Sequence, residues 1–424
     1  MSSPDLTPPS SPEGLELLRL KKLPFVCKKP LAECRAVTPT EGPAAASTSQ
    51  KSLESSQRDA VVMDTGTGIC KAGFAGEFKP SVVMESVVSY PLEQSKKTDQ
   101  SRASYFVGEL AWDEPNVRVV ELVKLGNIID WEAAETLWRH IFDHDLKVSP
   151  EEHSILLSDP PLSPASNREK MAEIFFESLG CPSMCVTHQS VLSAYSYGKI
   201  SGLVVESGHG VTSTVPVLHG NIIPHAIERM YFAGKLLTES MQKMLSKSGH
   251  SFDESMILVV EDIKHRCCYV AEDYESEMSL PESDCEIEYT LPDGQDIIIG
   301  KESFQCPEEL FRPAEVVGDG QAGIHIMAQN SLTKVPEEHK KVMYGNVLLC
   351  GGSTLFHGFY NRICTEFEKW LSQQYTPETL SIPDREHSTW IGGSILSSLR
   401  AFQSCWIPQQ MYKEHGPSIM RRKC

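Results

Sequence analysis

From Asp59 onward, short apolar runs alternate with longer segments whose apolar residues recur at helical spacing, the pattern of an α/β protein. Two runs look like copies of one device. Residues 60–75 read AVVMDTGTGICKAGFA and residues 202–217 read GLVVESGHGVTSTVPV. Each has an apolar strand, one acid, Gly-x-Gly and a second β-rich run, which predicts a strand, a tight glycine turn and a returning strand. Further along, 154–159 (SILLSD) and 346–350 (NVLLC) read as short buried strands, the second leading into Gly351 and Gly352. Residues 130–142 carry a helical stripe with Asp130 as N-cap. A second helix is expected over 166–180, opening on Ser166 as its capping residue and stopping at Gly180. A third opens near Trp390 with Gly392 and Gly393.

The first 57 or so residues break this pattern. They are rich in Pro, Ser, Thr and Ala and bury too little apolar surface to offset their ordering entropy, so 1–57 reads as a disordered tail. Within it, Leu15 to Lys29 mixes Leu with Lys and Arg. It reads as a short docking helix for a partner or as a solvated piece of tail, and its shortness favours the second.

Composition narrows the function classes. The 424 residues are 40% hydrophobic and 23% charged, ordinary for a globular protein of two or more domains. The net charge of −18 opposes non-specific nucleic-acid binding, so no nucleic-acid partner is expected. No apolar stretch is long enough to span a bilayer, and the opening residues lack the basic-then-apolar order of a secretory signal. The thirteen cysteines are therefore expected in a reducing compartment, with no C-x-x-C pairing that would build a zinc site and with Cys267 and Cys268 as buried thiols.

The glycine turns carry the candidate chemistry. Gly66, Gly68, Gly208 and Gly210 let backbone N–H groups approach an anion, and Asp64 and Glu206 end the strands beside them. Two such hairpins face to face would hold a polyphosphate and its metal between similar halves. The plainer alternative is that the glycines serve only the tight turns. Gly351–Gly352 and Gly392–Gly393 are weaker anion-site signals, because close helix packing also uses glycine.

These residues belong to a wider set of matches. Residues 71–76 (KAGFAG), 150–153 (PEEH), 167–171 (NREKM), 189–193 (QSVLS), 224–227 (PHAI), 291–294 (LPDG), 388–396 (STWIGGSIL) and 422–424 (RKC) resemble the actin family, over essentially all of 59–424. The Pro/Ser-rich tail, residues 158–164 (SDPPLSP) and the 208–210 turn (GHG) resemble its divergent testis and sperm-head members. The resemblance implies an actin-like ATPase fold: two α/β lobes, each with a five-stranded sheet and flanking helices, around a nucleotide cleft. The first lobe would span 58–195, with 390–424 returning to it, and the second 196–389. Implied ligands are ATP or ADP with Mg2+.

Carried over residue by residue, the resemblance makes Asp64, Gly66, Thr67, Gly68, Ile69 and Lys71 the first phosphate loop. Glu206, Ser207, Gly208, His209 and Gly210 form the second. Gln189 orients the attacking water, Lys264 lies near the base, and Gly351 and Gly352 lie beside the nucleotide. Asp64 and Glu206 would hold the metal through water. Several positions depart from the family pattern. Glu206 and His209 stand where it has aspartates, Ser213 where it has a histidine, Glu261 an arginine, His265 a glutamate and Glu386 a lysine. His209 as a metal ligand lacks a second His or Cys at ligand spacing.

The departures imply weak or absent hydrolysis. The leading expectation is a structural scaffold in the cytoplasm and cytoskeleton, placed by resemblance in the perinuclear theca or acrosomal region of the sperm head during spermiogenesis. Its partners would be other actin-like proteins or actin-binding proteins. The alternative is a nucleotide-regulated ATPase that polymerises like actin. A sugar kinase or chaperone of the same fold lacks support, because no substrate domain is inserted. Two changed surfaces, residues 90–105 and 313–324, carry charge and glycine that oppose extended homopolymers.

Overall fold

The computed structural model describes residues 59–92, 104–313, 318, 320–369 and 375–423. The 1–57 tail with its docking segment, most of the 90–105 loop, part of the 313–324 segment and Cys424 lie outside the described residues. Contacts gather 58–287 with 298–424 in one unit. Residues 288–297 fall outside it, within an antiparallel hairpin of Ile287–Thr290 and Asp296–Ile299.

Two mixed sheets organise the larger unit. The first contains β1 (Val61–Thr65), β2 (Ile69–Phe74), β3 (Val82–Glu85), β4 (Ile155–Asp159) and β5 (Ser183–His188) in the order β5-β4-β1-β2-β3. The second contains β6 (Gly202–Ser207), β7 (Thr212–Leu218), β8 (Asn221–Ile222), β9 (Glu228–Met230), β10 (Val347–Cys350) and β11 (Thr379–Leu380). Its order is β8-β7-β6-β10-β11, with β9 also paired to β7. The expected five-stranded sheets are thus present, each with one short addition: β9 in the second, and Ile407–Pro408 on β5 in the first.

The two sheets repeat one plan. β1 pairs antiparallel with β2 and parallel with β4; β6 pairs antiparallel with β7 and parallel with β10. Asp64 stands opposite Lys71 across the first ladder, and Glu206 opposite Ser213 across the second.

Helices cover the sheets as the apolar stripes require. On α1 (Trp131–His140), Leu137 and Trp138 join Val61, Met63 and Ile155 in one core, and the Asp130 carboxylate caps the helix at 2.9 Å from the Ala133 amide. The next helix, α2 (Ala165–Glu173), corrects an expectation. Pro164 rather than Ser166 holds the N-cap position, with no side-chain cap. Its carbonyl accepts from the Asn167 amide at 2.9 Å, so the helix starts two residues earlier and Ser166 lies within it. The last turns widen into a π-helix over Ile174–Ser178, and Gly180 at φ +73° ends the segment.

Further helices, named in chain order, are α3 (Gln189–Ser196), α4 (Gly234–Lys247), α5 (Ile257–Cys267), α6 (Glu302–Glu308) and α7 (Ser388–Ser398). α3 serves both sheets: Val191 and Ala194 pack with Val204 and Leu348, whereas Leu192 packs with Val62 and Trp390. On α7, Gly392 and Gly393 serve this packing and not an anion. A Cβ on Gly392 would lie 1.6 Å from the Leu192 carbonyl oxygen, and one on Gly393 2.7 Å from Val62.

Cys267 and Cys268 are buried free thiols. No helix among the described residues is long and apolar enough to cross a membrane.

Candidate functional site

The two glycine turns meet. A Cβ on Gly68 would lie 2.7 Å from the His209 ring, and one on Gly210 would lie 2.6 Å from the Thr67 side chain. Each turn therefore presents its bare glycine to a side chain of the other, so the hairpins oppose one another as their shared pattern suggested. The Gly66 amide closes on the Ile69 carbonyl at 3.1 Å and the Gly208 amide on the Val211 carbonyl at 3.0 Å. Among the described residues, the amides of Thr67, Gly68, His209 and Gly210 donate to no protein acceptor.

The first acid is well served. Asp64 Oδ1 accepts from the Ser158 hydroxyl at 2.6 Å and from the Gln189 side-chain amide at 3.1 Å. Its Oδ2 lies 3.4 Å from Lys71 Nζ. Gln189, first residue of α3, is thereby held beside the first loop, 3.5 Å from the Ser158 hydroxyl. Ile69 is exposed at the turn.

The second acid is poorly served. Glu206 Oε2 is buried with no hydrogen-bond partner. Burial, reinforced by the neighbouring Asp64 charge and only partly opposed by Lys71, pushes its carboxyl up to about 7. Ser213, its partner across the ladder, is buried and supplies no charge. The Ser207 hydroxyl is within hydrogen-bond distance of Thr212 at 2.8 Å, and the Gly208 carbonyl accepts from Gly234 at 3.0 Å and from the Ser353 hydroxyl at 2.8 Å.

His209 Nδ1 lies 3.7 Å from Glu261, and burial lowers the ring's proton affinity despite that acid. Burial alone would raise Glu261, but Lys264, His209 and His265 together hold its carboxyl below the ordinary range. His265 is largely exposed, 4.0 Å from Glu261. Lys264 is buried, and its ammonium donates to the Gly234 carbonyl at 2.9 Å, the Thr238 hydroxyl at 2.6 Å and Glu261 at 3.3 Å. Three acceptors match the three donors of an ammonium, so this lysine is engaged by protein.

Gly351 needs its glycine: φ is +86°, and a Cβ would lie 2.3 Å from the Ser207 carbonyl oxygen. Its amide donates to the Arg385 carbonyl at 3.0 Å. Glu386 follows with Oε2 buried and unpartnered. Gly352 faces open space.

Sequence reasoning missed Ser158, although strand alternation on β4 places it one strand from Asp64. It also missed Arg168, which donates to Asp159 at 2.6 Å and contacts His188 at 2.9 Å. Burial first, and Arg168 second, push His188 down to about 4. Arg229, on β9, reaches the carbonyls of Pro161 at 2.5 Å and Leu125 at 2.6 Å, a link with no local sequence signal.

These residues fit a polyphosphate with a hard cation. The undonated turn amides and Lys71 suit phosphate oxygens, and the orphaned Glu206 oxygen with Asp64 suits a hydrated cation. At the positions the resemblance assigns to the nucleoside, Lys264 is engaged by protein and Glu261 and Glu386 are acids. When bound, the cation supplies charge neutralisation at the phosphates.

The paired mixed sheets and opposed glycine turns define a two-sheet α/β fold, and the chain belongs to the actin family: residues 55–424 match the family described as Actin. It is 47% identical to Actin-like protein 9 of Mus musculus over 365 residues, covering 86% of this chain and 88% of that protein. Actin-like protein 9 of Homo sapiens is 46% identical, with the same shares of each chain covered, 86% and 88%. Actin-like protein 7A of Mus musculus is 42% identical over 386 residues, covering 91% of this chain and 87% of that protein.

Proposed function

We propose that the chain is a cytoskeletal structural protein, a binding scaffold with weak or absent ATP hydrolysis. The observation that carries this reading is the Glu206–Ser213 pair. One wall of the cleft holds a buried acid near neutrality in its proton affinity, opposite a hydroxyl that does not titrate there. The resemblance puts a proton-relaying histidine at Ser213. Gln189, the water-orienting residue in that resemblance, has its amide on Asp64. Asp64, Gly66, Gly68, Lys71, Gly208 and Gly210 favour retained binding of ATP or ADP with Mg2+, and Gly351 and Gly352 extend the cradle.

The lobes follow the two sheets, 58–195 with 390–424 in one and 196–389 in the other. Its site of action is the cytoplasm and cytoskeleton of developing sperm, in the perinuclear theca or acrosomal region, beside other actin-like or actin-binding proteins. This placement rests on resemblance.

Steady-state phosphate release from the purified full chain, with actin as control, tests the reading. Turnover well below actin is expected, with a gain when His209→Asp and Ser213→His are combined. Turnover equal to actin overturns the scaffold reading in favour of a polymerising ATPase, which the intact Asp64, Lys71 and Gln189 support. Co-purification from testis extract with nucleotide analysis tests partners and occupancy together.

A further inference from the structure

Each glycine turn is tied by backbone hydrogen bonds to a neighbouring segment. The Gly68 carbonyl accepts from the Ser86 amide at 2.9 Å, and the Ser86 carbonyl accepts from the Leu122 amide at 3.4 Å. Leu122 is fully buried and follows the strand Val117–Glu121, whose last residue pairs with Val87. On the other side, the His209 carbonyl accepts from the Lys235 amide at 2.7 Å, which seats the first turn of α4 on the second glycine turn. Glu121 is thereby tied to the first glycine turn and Lys235 to the second.

Their side chains meet. Lys235 Nζ donates to Glu121 Oε1 at 2.6 Å, with both side chains 43% exposed. Both charges also act on the His209 ring, which stands against Gly68, so the pair lies beside the contact between the turns. Arg229 joins the same two sides through the carbonyls of Leu125 and Pro161, and the Gly126 amide next to Leu125 donates to the Thr67 hydroxyl at 3.0 Å. Those acceptors are neutral. Lys235 and Glu121 attract as full charges, so theirs is the tie that salt screens and that the loss of one charge undoes.

A ligand seated between the turns leaves when they part, and parting them stretches this pair beyond contact. We propose that the Lys235–Glu121 ion pair is a latch across the two turns that slows the exchange of a bound nucleoside polyphosphate. The latch rests on the polyphosphate reading of the cleft. Both residues are positioning residues, acting through the turns they hold. A half-exposed pair is a modest tie, so its loss speeds release by about two- to fivefold rather than by orders of magnitude.

Stopped-flow release of ATP carrying an N-methylanthraniloyl fluorophore, from the full chain with Mg2+ at low salt, tests this. Lys235→Gln and Glu121→Gln are each expected to speed release by about two- to fivefold, and the double variant no more than either alone. The exchanged pair, Lys235→Glu with Glu121→Lys, is expected to return release towards the parent. Raising salt from about 0.05 M to about 0.5 M should speed the parent and leave the double Gln variant unchanged, a response that a packing role for either side chain would not give. Failure of the parent to bind the labelled ATP overturns the polyphosphate reading and the latch with it. Binding with unchanged release in both single variants, or with effects that simply multiply in the double, overturns the latch alone.

Discussion

The two glycine hairpins share a backbone and differ in charge. Both run acid-x-Gly-x-Gly, both place the acid on a strand with an antiparallel and a parallel neighbour, and each sets a glycine against the other's side chain. Yet Asp64 faces Lys71 and gathers Ser158 and Gln189, whereas Glu206 faces Ser213 and keeps an oxygen without a partner. Glycine at a tight turn is dictated by backbone distance, which the fold fixes. The charge opposite an acid is dictated by chemistry, and a fold survives its loss. Architecture and electrostatics are therefore separable here, and the second hairpin has kept only the first.

The sharpest break in that comparison is Glu206→Gln. The folded protein holds the Glu206 proton more tightly than the unfolded chain does, so the associated stability is full below the ordinary glutamate range and is lost as pH rises through about 7. The variant has no such loss. Its unfolding free energy relative to the parent should rise by on the order of 3 kcal/mol between about pH 4 and about pH 8. Urea melts across that range check it; a flat difference means burial does not raise the second acid's proton affinity.

Next comes alanine at matched glycines. A Cβ on Gly66 would lie 2.8 Å from the Ile69 carbonyl, whereas one on Gly208 would lie 3.7 Å from that of Val211, an ordinary contact. Gly66→Ala should cost roughly 2 kcal/mol and Gly208→Ala under about 0.5 kcal/mol. Equal losses in thermal melts would show that the turns are equally tight. The smallest effect is the coupling between turns. Gly68→Ala drives a methyl into the His209 ring, so adding His209→Ala should restore about 1 kcal/mol. A double-mutant cycle with no coupling means the hairpins do not touch in solution.

Local patterns made much of this legible. Acid-x-Gly-x-Gly lies within five residues, so both hairpins and their strands could be read from the chain, as could the Asp130 cap. Partners distant in sequence could not. Nothing near Lys264 shows that Gly234 and Thr238 occupy it, and nothing near Gly392 shows that the Leu192 backbone presses on it. Pro164 displaced Ser166 from the cap because fixed proline geometry starts a helix without a side-chain bond. The orphaned oxygens of Glu206 and Glu386 were equally hidden, since burial is a property of the packed whole.

The contact of Gly392 and Gly393 with α3 and β1 also bears on how the chain is made. The first sheet is begun by residues near 61 but is covered by Trp390 and edged by Ile407, more than three hundred positions later. During synthesis the part of its face that packs on Trp390 must wait, apolar and uncovered, until more than three hundred further residues have been made. Truncations that remove Trp390 and Ile407 should therefore yield sticky, aggregating products rather than a smaller soluble protein.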